Sequence, residues 1–482
     1  MRRVLLLSAF LAGCTVGPDY VRPSIEVPAA FKESKDWKAA EPRDAVARGP
    51  WWATFGDAEL DALMPQLDVS SQTIAAAEAQ VRVAAALADQ SRAQWWPTVT
   101  GSVSRTHTQS SVTTGSVAGI GTHRATIDTL GFDASWEADL WGRIRRLVES
   151  GDASTQASAG DLASARLSAQ AALAQNFLQV RALDSQRALL ERTVADYEHS
   201  LELTRNRYAA GVVSRGDVAL ADAQLQATRT QVVDLGIQRA QLEHAIAVLL
   251  GRPASTFSIA PGTLAATPPP VPDAGVPADL LERRPDVAAA ERRVAAANAQ
   301  IGVARAAYFP VATLGATFGY QSASSSTWLT QPAQFWSLGP ALALTLLDGG
   351  RRSAVAAQAT AAYDEAVANY RNTVLQAFSE VEDNLAALRI LETEAAVQDQ
   401  AVRAAQLSLE VAENQYKAGV IGYLQVVATQ AATLQAETTS LQIRARRIAG
   451  TVQLVKALGG DWTPPPPPAA RDHPPGSGGG GA

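Results

Sequence analysis

Hydrophobic and polar positions alternate along several short stretches of this chain. Residues 130–140 read LGFDASWEADL, with Leu130, Phe132, Ala134, Trp136, Ala138 and Leu140 set against Gly131, Asp133, Ser135, Glu137 and Asp139. A period of two predicts a half-buried β-strand. Residues 311–320 place Ala312, Leu314, Ala316, Phe318 and Tyr320 on one face. Residues 336–346 do the same with Trp336, Leu338, Pro340, Leu342, Leu344 and Leu346. Residues 98–105 form a weaker fourth strand. Loops rich in Ser, Thr and Gly are expected near 106–125 and 321–334. Pro340 has no N–H for a ladder, so it predicts a bulge or a strand end.

Between these strands the period changes to that of helices. From about Arg143 to Tyr208 there is no proline, and only Gly151 and Gly160 interrupt. A helix of that length would reach about 100 Å. Leu190, Val194, Tyr197, Leu201, Thr204 and Tyr208 recur at spacings of four and three, a heptad-like seam. Val402, Ala405, Leu409, Ala412 and Tyr416 occupy the matching positions further on. Such helices need neighbours to pack against. The pattern resumes after Gly211 and Gly419 toward Leu250 and Leu458, which predicts two long helical hairpins, each turned at a left-handed glycine cap.

The two hairpins echo each other. Asn206, Tyr208, Ala210, Gly211 and Val212 recur 208 positions later as Asn414, Tyr416, Ala418, Gly419 and Val420. Gly142-Arg143 recurs as Gly350-Arg351, and Leu250-Gly251 as Leu458-Gly459, at the same offset. Trp96-Pro97 against Phe309-Pro310 is offset by 213. A duplicated unit with one loop of variable length accounts for these matches. The expected organisation is a leader at 1–13, an N-terminal segment at 14–60, repeat one at 61–260, a proline-rich linker at 261–279, repeat two at 280–462 and a Pro/Gly tail at 463–482. In repeat one the β-hairpin falls near 98–140 and the helical tip near 208–212. In repeat two they fall near 311–347 and 416–420.

Six of the ten tryptophans flank the strands: Trp95, Trp96, Trp136, Trp141, Trp328 and Trp336. Aromatic ends on alternating strands resemble the girdles of outer-membrane barrels. Two half-buried hairpins of a soluble domain would show the same alternation. In a barrel, Asp133, Glu137 and Asp139 would line a wet lumen. Four strands cannot close, since about eight is a practical minimum, and open edges in lipid leave backbone groups unsatisfied. A barrel therefore requires several chains.

Composition narrows the class. Apolar residues make up 47% of the chain, yet aromatics only 6%, because alanine is abundant. That favours close helix packing through small side chains. A net charge of −6 without a basic stripe argues against nucleic acid as a partner. No apolar run is long enough for a membrane-spanning helix. Arg2 and Arg3 precede a short apolar run, Val4 to Phe10, as in a signal peptide. Leu11-Ala12-Gly13-Cys14 then resembles a bacterial lipobox, which implies a covalent lipid on Cys14, the only cysteine. Thr15 follows where an aspartate would imply inner-membrane retention. Signals for an enzyme are poor. His107, His123, His199, His244 and His473 form no metal-ligand spacing, GIGT at 119–122 does not complete a dinucleotide fingerprint, and no cofactor is implied.

Two stretches carry a family resemblance. Cys14-Thr15-Val16-Gly17-Pro18-Asp19-Tyr20 resembles the start of mature outer-membrane-factor lipoproteins of the OprM and NodT type. So does LLERRPDVAAAERRVAAANAQIGVARAAYFP, Leu280 to Pro310, whose core is Arg283-Arg284-Pro285-Asp286-Val287. The resemblance implies an α+β membrane protein of TolC-like fold. It implies a homotrimer in which each protomer gives four strands to one twelve-stranded outer-membrane β-barrel, continued by a long α-helical periplasmic tunnel. It implies a periplasmic adaptor and an inner-membrane transporter of the resistance-nodulation-division class as partners, with small molecules leaving through a passive duct. Tyr208, Gly211, Tyr416 and Gly419 would then be tip residues where the adaptor docks. Relatives often carry an acidic residue after the second tip. Here Ala428 stands there, and Asp217 and Asp222 near the first tip are the candidates for a gate. A protein-secretion duct of the same architecture, and a structural coiled-coil lipoprotein without a pore, are the alternatives.

Overall fold

The computed structural model describes residues 15–34, 50–109, 124–265, 277 and 283–462. The expected leader, Cys14, His123, His473, most of the proline-rich linker and the tail from 463 lie outside the described residues. In chain order the main elements are α1 (Ala58–Ser70), α2 (Gln72–Ala93), β1 (Thr98–Gln109), β2 (Arg124–Ala138), α3 (Arg143–Ala209) and α4 (Arg215–Leu249). The second series is α5 (Pro285–Ala306), β3 (Val311–Ser322), β4 (Gln334–Ala343), α6 (Arg351–Lys417) and α7 (Tyr423–Ala457).

The duplication governs element boundaries as well as letters. Helices α3 and α6 have 67 residues each, α4 and α7 have 35 each, and both pairs begin 208 positions apart. Helices α2 and α5 have 22 residues, strands β1 and β3 have 12, and these pairs are offset by 213. The five-residue drift therefore falls inside the β-hairpins. The variable loop expected from the sequence is the first hairpin, which is the longer of the two.

The strands form one antiparallel sheet in the order β1-β2-β3-β4. Three strand ends differ from expectation. Strand β1 continues to Gln109, through residues expected to be loop, and β2 and β4 end at Ala138 and Ala343, before Leu140 and Leu346. Pro340 is neither a bulge nor a strand end. It lies opposite Leu314 in a register unbroken from Val311↔Ala343 to Tyr320↔Gln334. Its strand is at the sheet's edge, where a residue without an N–H is tolerated. Asp139 also departs from its expected place in a lumen. It sits beyond β2, buried, and its carboxylate accepts from the N–H groups of Ile144 (3.0 Å) and Arg145 (2.9 Å). It caps α3, whose free first-turn donors attract a carboxylate.

The chain divides into two spatial units that cut across the two repeats. One holds residues up to Ser24, 80–158 and 289–370; the other holds the rest. In the first, small residues allow close helix contact. A side chain added at Gly151 of α3 would come within 3.0 Å of Ala88 Cα of α2. Abundant alanine is used in this way, with Ala88, Ala153 and Ala157 all buried.

In the second unit, Leu60, Met64 and Leu67 of α1 pack against Leu173 and Phe177 of α3, Ile246 of α4 with Leu250 just after it, and Val452 of α7. Two buried arginines tie this core to the chain around it. Arg181 donates to Asp57 (2.9 Å), Glu59 (2.7 Å) and the Ala260 carbonyl (2.7 Å), and stacks on Phe177. Arg284, from the Arg283-Arg284-Pro285-Asp286-Val287 motif, donates to Asp286 (2.7 Å), Glu380 (2.6 Å) and the Ala457 carbonyl (3.0 Å). It thus joins the start of α5, the middle of α6 and the end of α7. Arg284→Ala is expected to lower stability by about 2–3 kcal/mol, below the cost of breaking a fully buried pair, because Asp286 and Glu380 reach water. Thermal unfolding of the detergent-extracted protein measures it; an unchanged midpoint would remove Arg284 from the framework.

Candidate functional site

The sheet has two chemically distinct faces. Paired residues share a face, so the register assembles one surface from four strands. The rows Val99–Ala134–Ala316–Leu338 and Gly101–Phe132–Phe318–Trp336 are entirely apolar. Most of their large side chains are solvent-exposed; Trp336 is 72% exposed and Leu338 66%. The other face carries Thr98, Thr100, Ser102, Ser135, Thr313, Thr317 and Ser337, with Asp133 accepting from Thr317 Oγ1 at 2.9 Å. Glu137 is held by Arg143 at 2.8 Å. An exposed apolar surface of this extent, backed by a polar one, is the pattern of a sheet with lipid on one side and water on the other.

The aromatic residues separate into two groups. Trp95, Trp96, Trp136 and Trp336 are exposed. The Trp136 indole N–H donates to the Trp95 carbonyl at 2.9 Å, and the three tryptophans at this end border an apolar groove with Leu314 and Leu338. Trp141 and Trp328 are half-buried instead. Trp141 stacks on Phe309 at 4.8 Å and donates to the Pro310 carbonyl at 2.7 Å; Trp328 donates to the Tyr320 carbonyl at 3.3 Å. These two brace the ends of the sheet and do not join its exposed face.

The two family stretches meet in space. The Val16 N–H donates to the Trp141 carbonyl at 3.0 Å. Gly17 abuts Gly302 so closely that a Cβ on it would lie 2.5 Å from Gly302 Cα, so neither position has room for a side chain. Asn298 donates to the Pro18 carbonyl (3.0 Å), and Arg146 to Asp19 (2.8 Å). The Tyr20 hydroxyl donates to Glu291. Burial and this carboxylate together push the Tyr20 hydroxyl far above its ordinary pKa. The segment after Cys14 is thus fastened along α5, a contact that sequence spacing alone gave no way to find.

The helical tips share a backbone and differ in side chains. Gly211 (φ 72°) and Gly419 (φ 77°) close α3 and α6 in the left-handed conformation. Val212 N–H donates to the Arg207 carbonyl and Val420 N–H to the Gln415 carbonyl, both at 2.9 Å, the bonds of a Schellman cap. A Cβ on either glycine would meet nothing within 4 Å. The backbone angle, and not crowding, requires glycine there.

Tyr208 and Tyr416 occupy equivalent positions but are not equivalent. Tyr208 is 47% exposed, whereas Tyr416 is 5% exposed. Tyr416 lies under the Arg207 guanidinium (4.5 Å to the ring centroid), whose Nη1 donates to the Tyr416 carbonyl at 2.7 Å. Its ring packs against Tyr423 at 5.4 Å, within a cluster that includes Tyr197, Leu201, Leu225 and Val426. The Tyr416 hydroxyl and Gln430 Oε1 are buried and have no hydrogen-bond partner among the described residues. A cavity of about 400 Å³ opens beside Tyr197, Ser200, Tyr416, Tyr423 and Gln430.

The acidic candidates near the first tip are both engaged. Asp217 forms a capping box with Ser214: its carboxylate accepts from the Ser214 N–H (2.9 Å), and its own N–H donates to Ser214 Oγ (3.2 Å). Asp222 accepts from Gln226 (3.2 Å). In the second repeat, Gly422 stands at the cap position and offers no side chain.

Burial, with the nearby Tyr416, Tyr197 and Glu413, pushes the Tyr423 hydroxyl up to about 12 from 10.0. The folded form then holds its proton more tightly than the unfolded form. The resulting stabilisation is whole below pH 10 and is lost as pH rises toward 12, about 2–3 kcal/mol in all. Tyr423→Phe should therefore flatten the fall in unfolding midpoint between pH 10 and 12 relative to the wild type. Parallel pH curves for the two proteins would contradict it.

Comparison with known proteins agrees with this geometry. The family model described as outer membrane efflux protein matches residues 63–252 and 276–460, close to the two repeats. The chain is 30% identical over 467 residues to the pyoverdine export outer membrane protein OpmQ of Pseudomonas aeruginosa, covering 96% of this chain and 97% of that protein. It is 31% identical over 469 residues to the toluene efflux pump outer membrane protein TtgC of Pseudomonas putida, covering 95% of each. Among solved structures, the outer-membrane channel OprN is similar with a TM-score of 0.85 at 31% identity, over 93% of this chain and 99% of that one. The TolC-like fold implied by the sequence is the one observed, and the chain belongs to the outer membrane efflux protein family.

Proposed function

We propose that three copies of this chain form a passive outer-membrane exit duct of a tripartite efflux pump. The observation that carries this reading is a sheet with an exposed apolar face and two unpaired edges, β1 and β4. In lipid those edges must pair with other copies. Two copies would give eight strands, whose interior side chains fill; three give twelve and leave a lumen. The facing surface is lined by Thr, Ser and Gly, which suits a wet passage.

Long helices α3, α4, α6 and α7 would continue the passage across the periplasm. A periplasmic adaptor and an inner-membrane transporter of the resistance-nodulation-division class would meet it at the tips. Exposed Tyr208, Val212 and Val420 beside the two glycine caps offer the adaptor a surface. The relatives' names span pyoverdine, toluene, antibiotics and cations, which fits a duct whose cargo is chosen by its inner-membrane partner. The chain itself carries out no enzymatic step in this reading.

Cys14 would carry the lipid anchor, and its neighbour Val16 is bonded at the base of the sheet, where acyl chains would enter the inner leaflet. The Arg207–Tyr416 contact would hold the tip closed. The two unpartnered buried polar atoms beside it lower the cost of rearranging there. Asp217 and Asp222 would set the charge around the opening.

Light scattering of the detergent-extracted protein should give three times the protomer mass, and planar bilayers should show a low resting conductance. Arg207→Ala should raise that conductance by freeing the second tip. Asp217→Ala should change cation preference and cost about 1 kcal/mol as a lost cap. A monomer, or a trimer that never conducts, would sink the duct.

A further inference from the structure

The apolar face of the sheet ends abruptly. Val103, Leu130 and Tyr320 form its last row on the side of the hairpin loops. The next row on the same face is Arg105, Asp128 and Ser322, followed by His107 with Thr126 and by Gln109 with Arg124. One row is two residues, about 6–7 Å along a strand. With the strands inclined as in a barrel, Arg105 then stands about 5 Å beyond the hydrocarbon edge, at the depth of lipid head groups.

This rim is locally basic in a chain whose net charge is −6. On the described strands it presents Arg105, His107 and Arg124 against one carboxylate, Asp128. The carboxylate is covered and the cation exposed: the Asp128 side chain is 5% exposed and that of Arg105 58%. Asp128 accepts from Arg105 Nε (2.6 Å) and Nη2 (2.8 Å), which fixes the guanidinium plane; Nη1 takes no part in the pair. Arg124 gives only its Nε to Gln109 Oε1 (3.1 Å) among the described residues. His107 Nδ1 meets Thr126 Oγ1 at 2.7 Å, and its other ring nitrogen takes no part in that contact. Each of these three side chains is thus oriented by a neighbouring one, and each guanidinium keeps N–H donors for an outside acceptor. Planar, fork-shaped guanidinium donors suit phosphate oxygens.

We propose that Arg105, His107 and Arg124 form a binding site for the phosphate groups of an outer-leaflet lipid. The site rests on the reading that this sheet lies in the outer membrane with its hairpin loops outward. Arg105 and Arg124 are four residues apart in register, about 13 Å along the strands, so a head group with two separated phosphates can engage both. Asp128 occupies Arg105 Nε and Nη2 and so competes with a phosphate for that guanidinium.

The test uses the full-length protein reconstituted into phosphatidylcholine vesicles, with or without bis-phosphorylated lipid A, dephosphorylated lipid A, or inorganic phosphate in solution. Flotation first establishes insertion, and the unfolding midpoint is then followed against lipid content. Phosphorylated lipid A should raise the wild-type midpoint, and its dephosphorylated form should not. Arg105→Gln with Arg124→Gln should weaken the apparent lipid affinity about thirtyfold. Arg105→Lys should keep most of it, and Asp128→Asn should strengthen it by removing the competing charge. A shift with inorganic phosphate alone, lost in the double variant, would assign the same site to free phosphate. An inserted double variant with the wild-type lipid response would overturn the proposal. Failure of the wild type to float with vesicles would overturn the membrane reading and the site together.

Discussion

The unpaired edges of the sheet are the constraint on which the rest of the molecule depends. In water, β1 and β4 could leave their outward N–H and C=O groups to solvent. In hydrocarbon each such group costs several kcal/mol, far more than any side-chain contact at the edge could return. The apolar face commits the sheet to lipid, and lipid forbids the edges. The chain is therefore incomplete by construction, and assembly follows from backbone hydrogen bonding before any interface side chain is considered.

The duplicated helices answer a different problem. A 67-residue helix buries only a narrow stripe on any one neighbour, so most of its stability must come from packing repeated along its length. Alanine and glycine at the contacts bring helix axes close, and arginine contacts fasten segments far apart in the chain. Arg181 and Arg284 each gather two carboxylates and a helix-end or loop carbonyl. Where small residues supply little apolar area per contact, such multi-point arginines help to fix which segments meet.

Much of this was legible in the sequence because it is local. Alternation in LGFDASWEADL and VATLGATFGY gave the strand faces, and the observed register pairs those faces without a slip. Gly211 and Gly419 announced the helix ends because only glycine takes their backbone angle cheaply. The offset of 208 carried through to the first residues of four helices. What was not legible depends on partners far away in the chain. Asp139 looked like a strand residue by parity, but helix α3 begins just after it and claims its carboxylate. Trp141 and Trp328 shared the girdle's composition, yet each is half-buried, Trp141 stacked on Phe309 and Trp328 bonded to the Tyr320 carbonyl. The docking of Gly17 on Gly302 left no trace in spacing, since the signal for it is an absence of side chains on both sides of the contact.

The tips show how far duplicated halves can diverge without losing the fold. In the first repeat the turn is held from within by the Ser214–Asp217 box, and Tyr208 is left to solvent. In the second, Gly422 provides no cap, and Tyr423 at the position of Arg215 brings an aromatic ring inward against Tyr416. Arg207 spans the difference: a residue of the self-capped tip covers the ring and binds the carbonyl of the other. The first tip can keep its shape alone, whereas the second takes part of its shape from the first.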